Sequence, residues 1–460
     1  MTLVIVCILL AGFALIATGN VTNVNKAAIA MFMCTLSWVL YICYGTDFVM
    51  SQHPGEYTDW LAGAVPTSTA VKHYIAQNIF LKYVGRAAEV VLFLLATMTI
   101  VEILNNNGCF DFITPFLRTR RSRKYLWLLT IITFIISANL DNITTTIMML
   151  VIMHSMVPNR RMRMLFGCAV VLAANCGGAL TVIGSPEGLV LWNIGAVTAT
   201  NFSMSLFLPC LLAWALPTYM ISRALPERID MDLPAMPYRG DDTNLNTWQR
   251  LLMLFVGIGG LWFIPTFHNI TKLSPFLGAF CVLSVLWIVN EIFNHKLMNA
   301  DQMIHRRIPR VLQYSVIQLM LFVMGIMMTL GVVQETGALA WLANWCDTNI
   351  HNVWILGMLT GFVSSVLDNF ATAMSFFSLY SLADAAQDSY QTAFIENGLF
   401  WKLIAYSSAI GGNFFLIGSL SGLALMKMER IHVGWYIRTV GFLSVVSWIV
   451  GMLVLWAMHL

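Results

Sequence analysis

Ten stretches of roughly twenty mostly apolar residues run along this chain, at about 2–20, 27–45, 85–107, 163–193, 203–223, 250–267, 274–293, 313–334, 398–427 and 438–458. A helix of that length matches the hydrocarbon thickness of a bilayer, about 30 Å. In such a solvent every backbone polar group must find a partner inside the protein. The expected fold class is therefore an all-α polytopic membrane protein. With 58% hydrophobic and 10% charged residues in 460, the chain has no composition for a soluble core. The first stretch lacks a basic residue before it and a small-residue cleavage site after it, so it is expected to be retained as a helix.

A net charge of +3 gives no support for nucleic-acid binding. Most of the nine cysteines lie inside apolar stretches, where they serve as small packing residues rather than a disulfide framework. No CxxC, HExxH, Walker, GxGxxG or GxSxG element occurs, so neither an enzyme nor a cofactor is expected. Twenty of the twenty-five Lys and Arg fall on one side in a single threading; they include Lys26, Arg118–Lys124, Arg160, Arg161, Arg163, Arg239, Lys296, Arg306, Arg307 and Arg310. By the positive-inside rule that side is cytoplasmic, and both termini then face out.

Two segments do not fit simple spans. Residues 125–157 are flanked by RTRRSRK and NRRMR, both expected inside, yet two full crossings need about 40 residues plus a turn. This segment is predicted to enter from the cytoplasm, turn near the midplane at SANLDNITTT and return. Residues 352–380 lack basic flanks and are predicted to do the same from outside, with SSVLDNFATAM at the tip.

The resemblance of the two tips extends further. LFLLATMTIVEILNNNG (92–108) aligns with LFVMGIMMTLGVVQETG (321–337) at an offset of 229, the tips at 227, and CGGALTVIGSPEGL (176–189) with IGGNFFLIGSLSGL (410–423) at 234. The threading gives the halves opposite orientations. An inverted-topology repeat is expected, with residues 1–224 as the first unit, 225–247 as a cytoplasmic linker and 248–460 as the second. The GG…IGS stretches are expected to break their helices near the midplane, within 163–193 and 398–427.

Asp141 and Asp368 head the site candidates. An aspartate at the bilayer centre costs roughly 2.5–3.5 kcal/mol on insertion scales. Asparagine or serine would cap a half-helix without that cost. Paired carboxylates repel anions, so the expected ligand is a cation, with a proton as its competitor. Asn142, Asn369, Ser137, Ser364, Thr144, Thr145 and Thr372 add neutral oxygens, which hard cations take alongside charge. Ser185 and Ser419 lie in the breaks, with Asn175 and Asn413 close by but at unmatched positions. Glu102, Glu187, Glu89 and His154 are weaker candidates for a proton path. For each the alternative is structural: a helix-end carboxylate or an interfacial histidine. Lys402 is expected to snorkel to the outer interface.

These tips and breaks resemble NhaD-type sodium/proton antiporters of the ion transporter superfamily. The resemblance covers about 85–430, and SANLDNITTT followed by NCGG…IGSP is its most specific part. It implies Na+ (often Li+) leaving the cytoplasm in exchange for H+, a bacterial inner membrane, a scaffold-plus-transport-domain fold and a homodimer. It places the family's motif acids and amides at Asp141, Asn142, Asp368 and Asn369, and its break serines at Ser185 and Ser419. Dicarboxylate carriers of the same fold have Ser-Asn-Thr tips, unlike LDN. Arsenite exporters share the architecture and are the alternative; a cation channel is a further one. An intramembrane aspartyl hydrolase would need YD and GxGD contexts, which neither aspartate has.

Overall fold

The computed structural model describes all residues except 23, 64, 232–244, 295–314, 384, 386–389 and 460. Most of the expected linker thus lies outside the described residues, as do Arg239, Lys296, Arg306, Arg307 and Arg310. Among the described residues the chain is helical, with only isolated β-bridges such as Arg121 with Arg228. Seven helices among the described residues are long and apolar enough to cross a membrane. The chain is an all-α, multi-pass membrane protein.

In chain order the principal helices are α1 (Thr2–Ala17), α2 (Lys26–Cys43), α3 (Ser68–Asn106), α4 (Ser122–Asn139), α5 (Asn142–Met156), α6 (Arg160–Gly178), α7 (Pro186–Asn193) and α8 (Ala199–Arg223). After them come α9 (Thr247–Thr271), α10 (Pro275–Asn294), α11 (Ser315–Glu335), α12 (Ala338–Asn349), α13 (Val353–Val366), α14 (Asn369–Phe377), α15 (Leu399–Gly411), α16 (Leu420–Glu429) and α17 (Val433–Ala457).

The third helix is longer than the apolar stretch expected to span at 85–107: α3 begins at Ser68 and runs for 39 residues. Lys72, His73, Gln77, Lys82 and Arg86 lower the hydropathy there without interrupting the helix, because no proline occurs between 68 and 106. At 1.5 Å per residue α3 is about 58 Å long, well beyond a bilayer core. A π-helical turn at Ile75–Phe80 lies within it.

Both odd segments are helix–turn–helix hairpins. In the first, α4 stops because Leu140 and Asp141 are extended (φ −120°, ψ −176°; φ −74°, ψ 142°), and Asp141 then caps α5. In the second, Leu367 and Asp368 do the same between α13 and α14. With 15 and 9 residues, α5 and α14 reach only about 23 and 14 Å. Each of the two expected broken helices is also interrupted, between α6 and α7 and between α15 and α16.

Packing divides these helices into two groups. α2 packs on α11, α3 on α10 and α11, and α9 on α10. Separately, α4 and α5 pack on α6, α13 and α14 on α15, and α8 on α17. From Phe166 to Gly178 every residue of α6 is buried, as is every residue of α15 from Phe400 to Gly411. A helix apolar on all sides belongs in a core, so the two hairpins and two broken helices form one body around α6 and α15. The two groups are joined chiefly where α3 packs on α7 and α11 on α14.

Candidate functional site

Four helix N-termini converge inside this second body, each capped by a predicted residue. Asp141 caps α5, Asp368 caps α14, Ser185 caps α7 and Ser419 caps α16. Hairpins and breaks are locked together by backbone carbonyls. Ser137 Oγ donates to Ala174 O at 2.6 Å, and its counterpart Ser364 Oγ to Ser408 O at 2.5 Å. The Asn369 amide donates to Gly418 O at 3.1 Å. This closeness explains the break glycines. A Cβ at Gly418 would lie 1.9 Å from Ser364 O, and one at Gly412 2.2 Å from Asn369 Oδ1. Between them Leu416 is held at φ 65°, a left-handed conformation uncommon for a leucine.

The two aspartates are buried, with 7% exposure for Asp141 and 4% for Asp368. Asp141 Oδ2 accepts from the Thr144 amide at 2.9 Å and the Thr144 hydroxyl at 3.1 Å. Its Oδ1 has no hydrogen-bond partner among the described residues. Asp368 Oδ1 accepts from the Phe370 amide at 3.1 Å, while Oδ2 faces Lys26 Nζ at 3.4 Å. Each carboxylate therefore caps a helix with one oxygen and turns the other away from the backbone. Capping and a second role coexist at both tips.

The amides form a relay. Asn142 Nδ2 donates to Asn175 Oδ1 at 3.3 Å, and Asn175 Nδ2 to Asn413 Oδ1 at 2.7 Å. Asn175 and Asn413 are unmatched in sequence, yet they bond to each other across the centre of the body. Asn369 instead accepts from Ser364 at 3.0 Å and donates to Ala409 O at 3.3 Å. Thr145 and Thr372, matched in the two tips, both bury a hydroxyl with no hydrogen-bond partner among the described residues, as does Asn142 with Oδ1. Asn413 also keeps an unpartnered Nδ2.

Glu187, in the first turn of α7, belongs with this set. It is 3% exposed, its Oε2 is unpartnered among the described residues, and it lies within electrostatic reach of both Asp368 and Asp141. The free groups gathered here are thus mostly oxygens, charged and neutral mixed. They do not form a cluster of three or more His, Cys, Asp or Glu at metal-holding distance among the described residues.

The other candidates lie elsewhere. Glu89, on α3, accepts from Asn193 Nδ2 at 2.7 Å at the end of α7, and Ser274 donates to Asn193 Oδ1 at 3.1 Å. It therefore bridges the two helix groups rather than lining the tips. Glu102 is half-buried further along α3. His154 Nδ1 lies 2.8 Å from Glu429 Oε1 at the far ends of α5 and α16, where Arg163 Nε also holds Glu429 at 2.9 and 3.1 Å. Lys402 does not snorkel; it is 3% exposed within α15 because that helix has no outer face.

Lys26 is the site contact that sequence reasoning missed. Counted in the threading only among the cytoplasmic-side cations, it reaches Asp368 from 342 residues away. Its one local signal is its position as the first residue of α2, an unfavourable end of a helix dipole for a cation.

Residues 3–411 match a family described as citrate transporter. Among curated proteins, "Sodium/proton antiporter 1" of Arabidopsis thaliana is 33% identical over 382 residues, covering 82% of this chain but only 62% of the relative. "Sodium/proton antiporter 2" of the same plant is 29% identical over 401 residues, covering 87% of this chain and 91% of the relative. The "Na(+)/H(+) antiporter NhaD" of Vibrio parahaemolyticus is 25% identical over 374 residues, covering 75% and 83%. Matched by that family over most of its length and by sodium/proton antiporters at 25–33% identity, the chain belongs to the citrate transporter family and is an NhaD-type ion transporter.

Proposed function

We propose that this protein exchanges cytoplasmic Na+, and also Li+, for external H+ by alternating access. The observation that carries the reading is the set of free oxygens at the tips. Asp141 Oδ1, Asn142 Oδ1, Thr145 Oγ1, Thr372 Oγ1 and Glu187 Oε2 are buried and unpartnered among the described residues. Such atoms are costly unless a ligand satisfies them. Carboxylate, amide and hydroxyl oxygens together suit a hard monovalent cation or a proton. The names of the plant and bacterial relatives, sodium/proton antiporters, support the same pair of substrates.

In this reading a cation arriving from the cytoplasm binds at Asp141 and Asp368, with Asn142 and Asn369 completing the shell, and displaces protons held there. The body around α6 and α15 then moves against the other helices. On the outer side protons return to the carboxylates and the cation leaves. The two units, 1–224 and 248–460, would be inverted repeats in a bacterial inner membrane, with both termini outside and two copies forming a dimer. With that orientation α7 and α14 occupy the outer half of the membrane, so their packing on α3 and α11 supports a conformer closed to the outside.

The alternative is export of an anion or of arsenite, which the family's description as citrate transporter keeps in view. A tricarboxylate would meet Asp141, Asp368 and Glu187 and be repelled by all three. One assay separates these readings and a channel. Everted vesicles carrying a pH-sensitive dye are challenged with Na+, Li+, K+, citrate and arsenite. Proton release on adding Na+ or Li+ supports the proposal. A response confined to citrate or arsenite replaces it, and Na+ flux without proton movement would indicate a channel.

A further inference from the structure

We infer that Lys26 is a tethered cation which occupies the free oxygen of Asp368 in the unloaded carrier and must be displaced by the transported ion. The inference rests on the cation-exchange reading above and assigns a residue that reading does not use.

The two tips are matched in sequence and in capping, but their second oxygens are treated differently. Asp141 Oδ1 is unpartnered among the described residues, whereas Asp368 Oδ2 has Lys26 Nζ at 3.4 Å. Both members of the pair are largely withdrawn from solvent, with side-chain exposures of 15% and 4%. A buried carboxylate left alone would carry a large desolvation penalty, so a positive partner is needed whenever no proton or metal ion is bound. At 3.4 Å the contact is longer than the 2.7–2.9 Å of tight charge-assisted hydrogen bonds. Such a partner is held loosely enough to yield.

The location of the pair gives it a second consequence. Lys26 opens α2, which packs on α11. Asp368 caps α14, in the body built on α6 and α15. The pair therefore joins the two helix groups through the ion-binding carboxylate itself. When a cation takes Oδ2, the ammonium is released and that tie is broken. When the cation leaves, the tie forms again. Competition between a tethered and a free cation thus links occupancy of Asp368 to the freedom of one helix group to move past the other.

The test compares wild type, Lys26→Gln and Lys26→Arg in everted vesicles at one fixed pH, measuring the Na+ dependence of dye recovery. Lys26→Gln removes the competitor, so its apparent KM for Na+ should fall by about fivefold or more. Lys26→Arg keeps a charge with two-point geometry and should raise KM by a similar factor. A purely structural role would lower maximal rate or yield and leave both KM values at wild type, and that result overturns the inference. If Lys26→Gln does not fold, Lys26→Arg decides: an unchanged KM overturns the inference. In the purified proteins, Na+ should raise the melting temperature of Lys26→Gln at lower concentrations than it does wild type; identical concentration dependence also counts against it. A wild-type protein that shows no Na+-driven proton movement overturns the exchange reading and this inference with it. Normal wild-type exchange with unshifted variants overturns this inference alone.

Discussion

Asp141 and Asp368 each combine two roles in one side chain, and substitution should separate them. Asparagine keeps an oxygen for the Thr144 or Phe370 amide and removes the charge. Asp141→Asn is therefore expected to insert and extract like wild type while losing Na+-dependent proton movement by about a hundredfold or more, since the ionised ligand is gone. Full activity in that variant would remove Asp141 from the mechanism. The hydroxyls carry no charge, and Thr372→Val should raise apparent KM for Na+ only severalfold. Proton competition fixes a sign for pH. Protons on the carboxylates exclude the cation, so a rise in pH frees sites and apparent KM falls, by up to about tenfold per pH unit for one-for-one competition. A KM independent of pH across the working range would exclude the shared site.

At the scale of elements, the hairpins and broken helices depend on glycine for contact at backbone distance. Gly418→Ala would place a methyl group 1.9 Å from Ser364 O, and backbone cannot swing aside as a flexible side chain can. Its melting temperature in detergent should fall by several degrees, or the protein should fail to extract. Gly85, within α3, meets nothing within 4 Å, so Gly85→Ala should be neutral or slightly stabilising. Equal effects from the two substitutions would mean that the break does not require close approach. The elements were well marked in sequence where polar residues interrupt apolar runs, as at SANLDNITTT and IGS. The start of α3 was not marked. Hydropathy falls where a helix leaves the membrane, whereas helical hydrogen bonding continues until a breaker occurs.

At the scale of the molecule, polar contacts tie the two bodies together. Besides Lys26 with Asp368, Glu89 receives Asn193, which Ser274 also bonds, and Trp262 donates to Asn139. If transport requires one body to move against the other, tying them should stop it. In a background without the nine native cysteines, Glu89→Cys with Asn193→Cys should lose exchange on bridging by a short bifunctional thiol reagent. Reduction of a cleavable bridge should restore it. Undiminished turnover in fully bridged protein would show that this interface stays closed through the cycle.

Sequence by itself determined which segments suit lipid, where helices must break, and that two acidic tips recur in matched settings. These follow from composition and chain-local chemistry: about twenty apolar residues suit a span, and Asp, Ser and Gly permit a capped break. It could also nominate Asn175 and Asn413 as polar residues near the breaks. That these two bond to each other, that Glu187 shares the field of both aspartates, and that Lys26 faces Asp368 were decided only by tertiary packing. Their partners lie tens to hundreds of residues away, and one sequence carries no record of which helix comes to rest against which. A cation at the start of a helix has the same letters whether it faces lipid headgroups or a buried carboxylate.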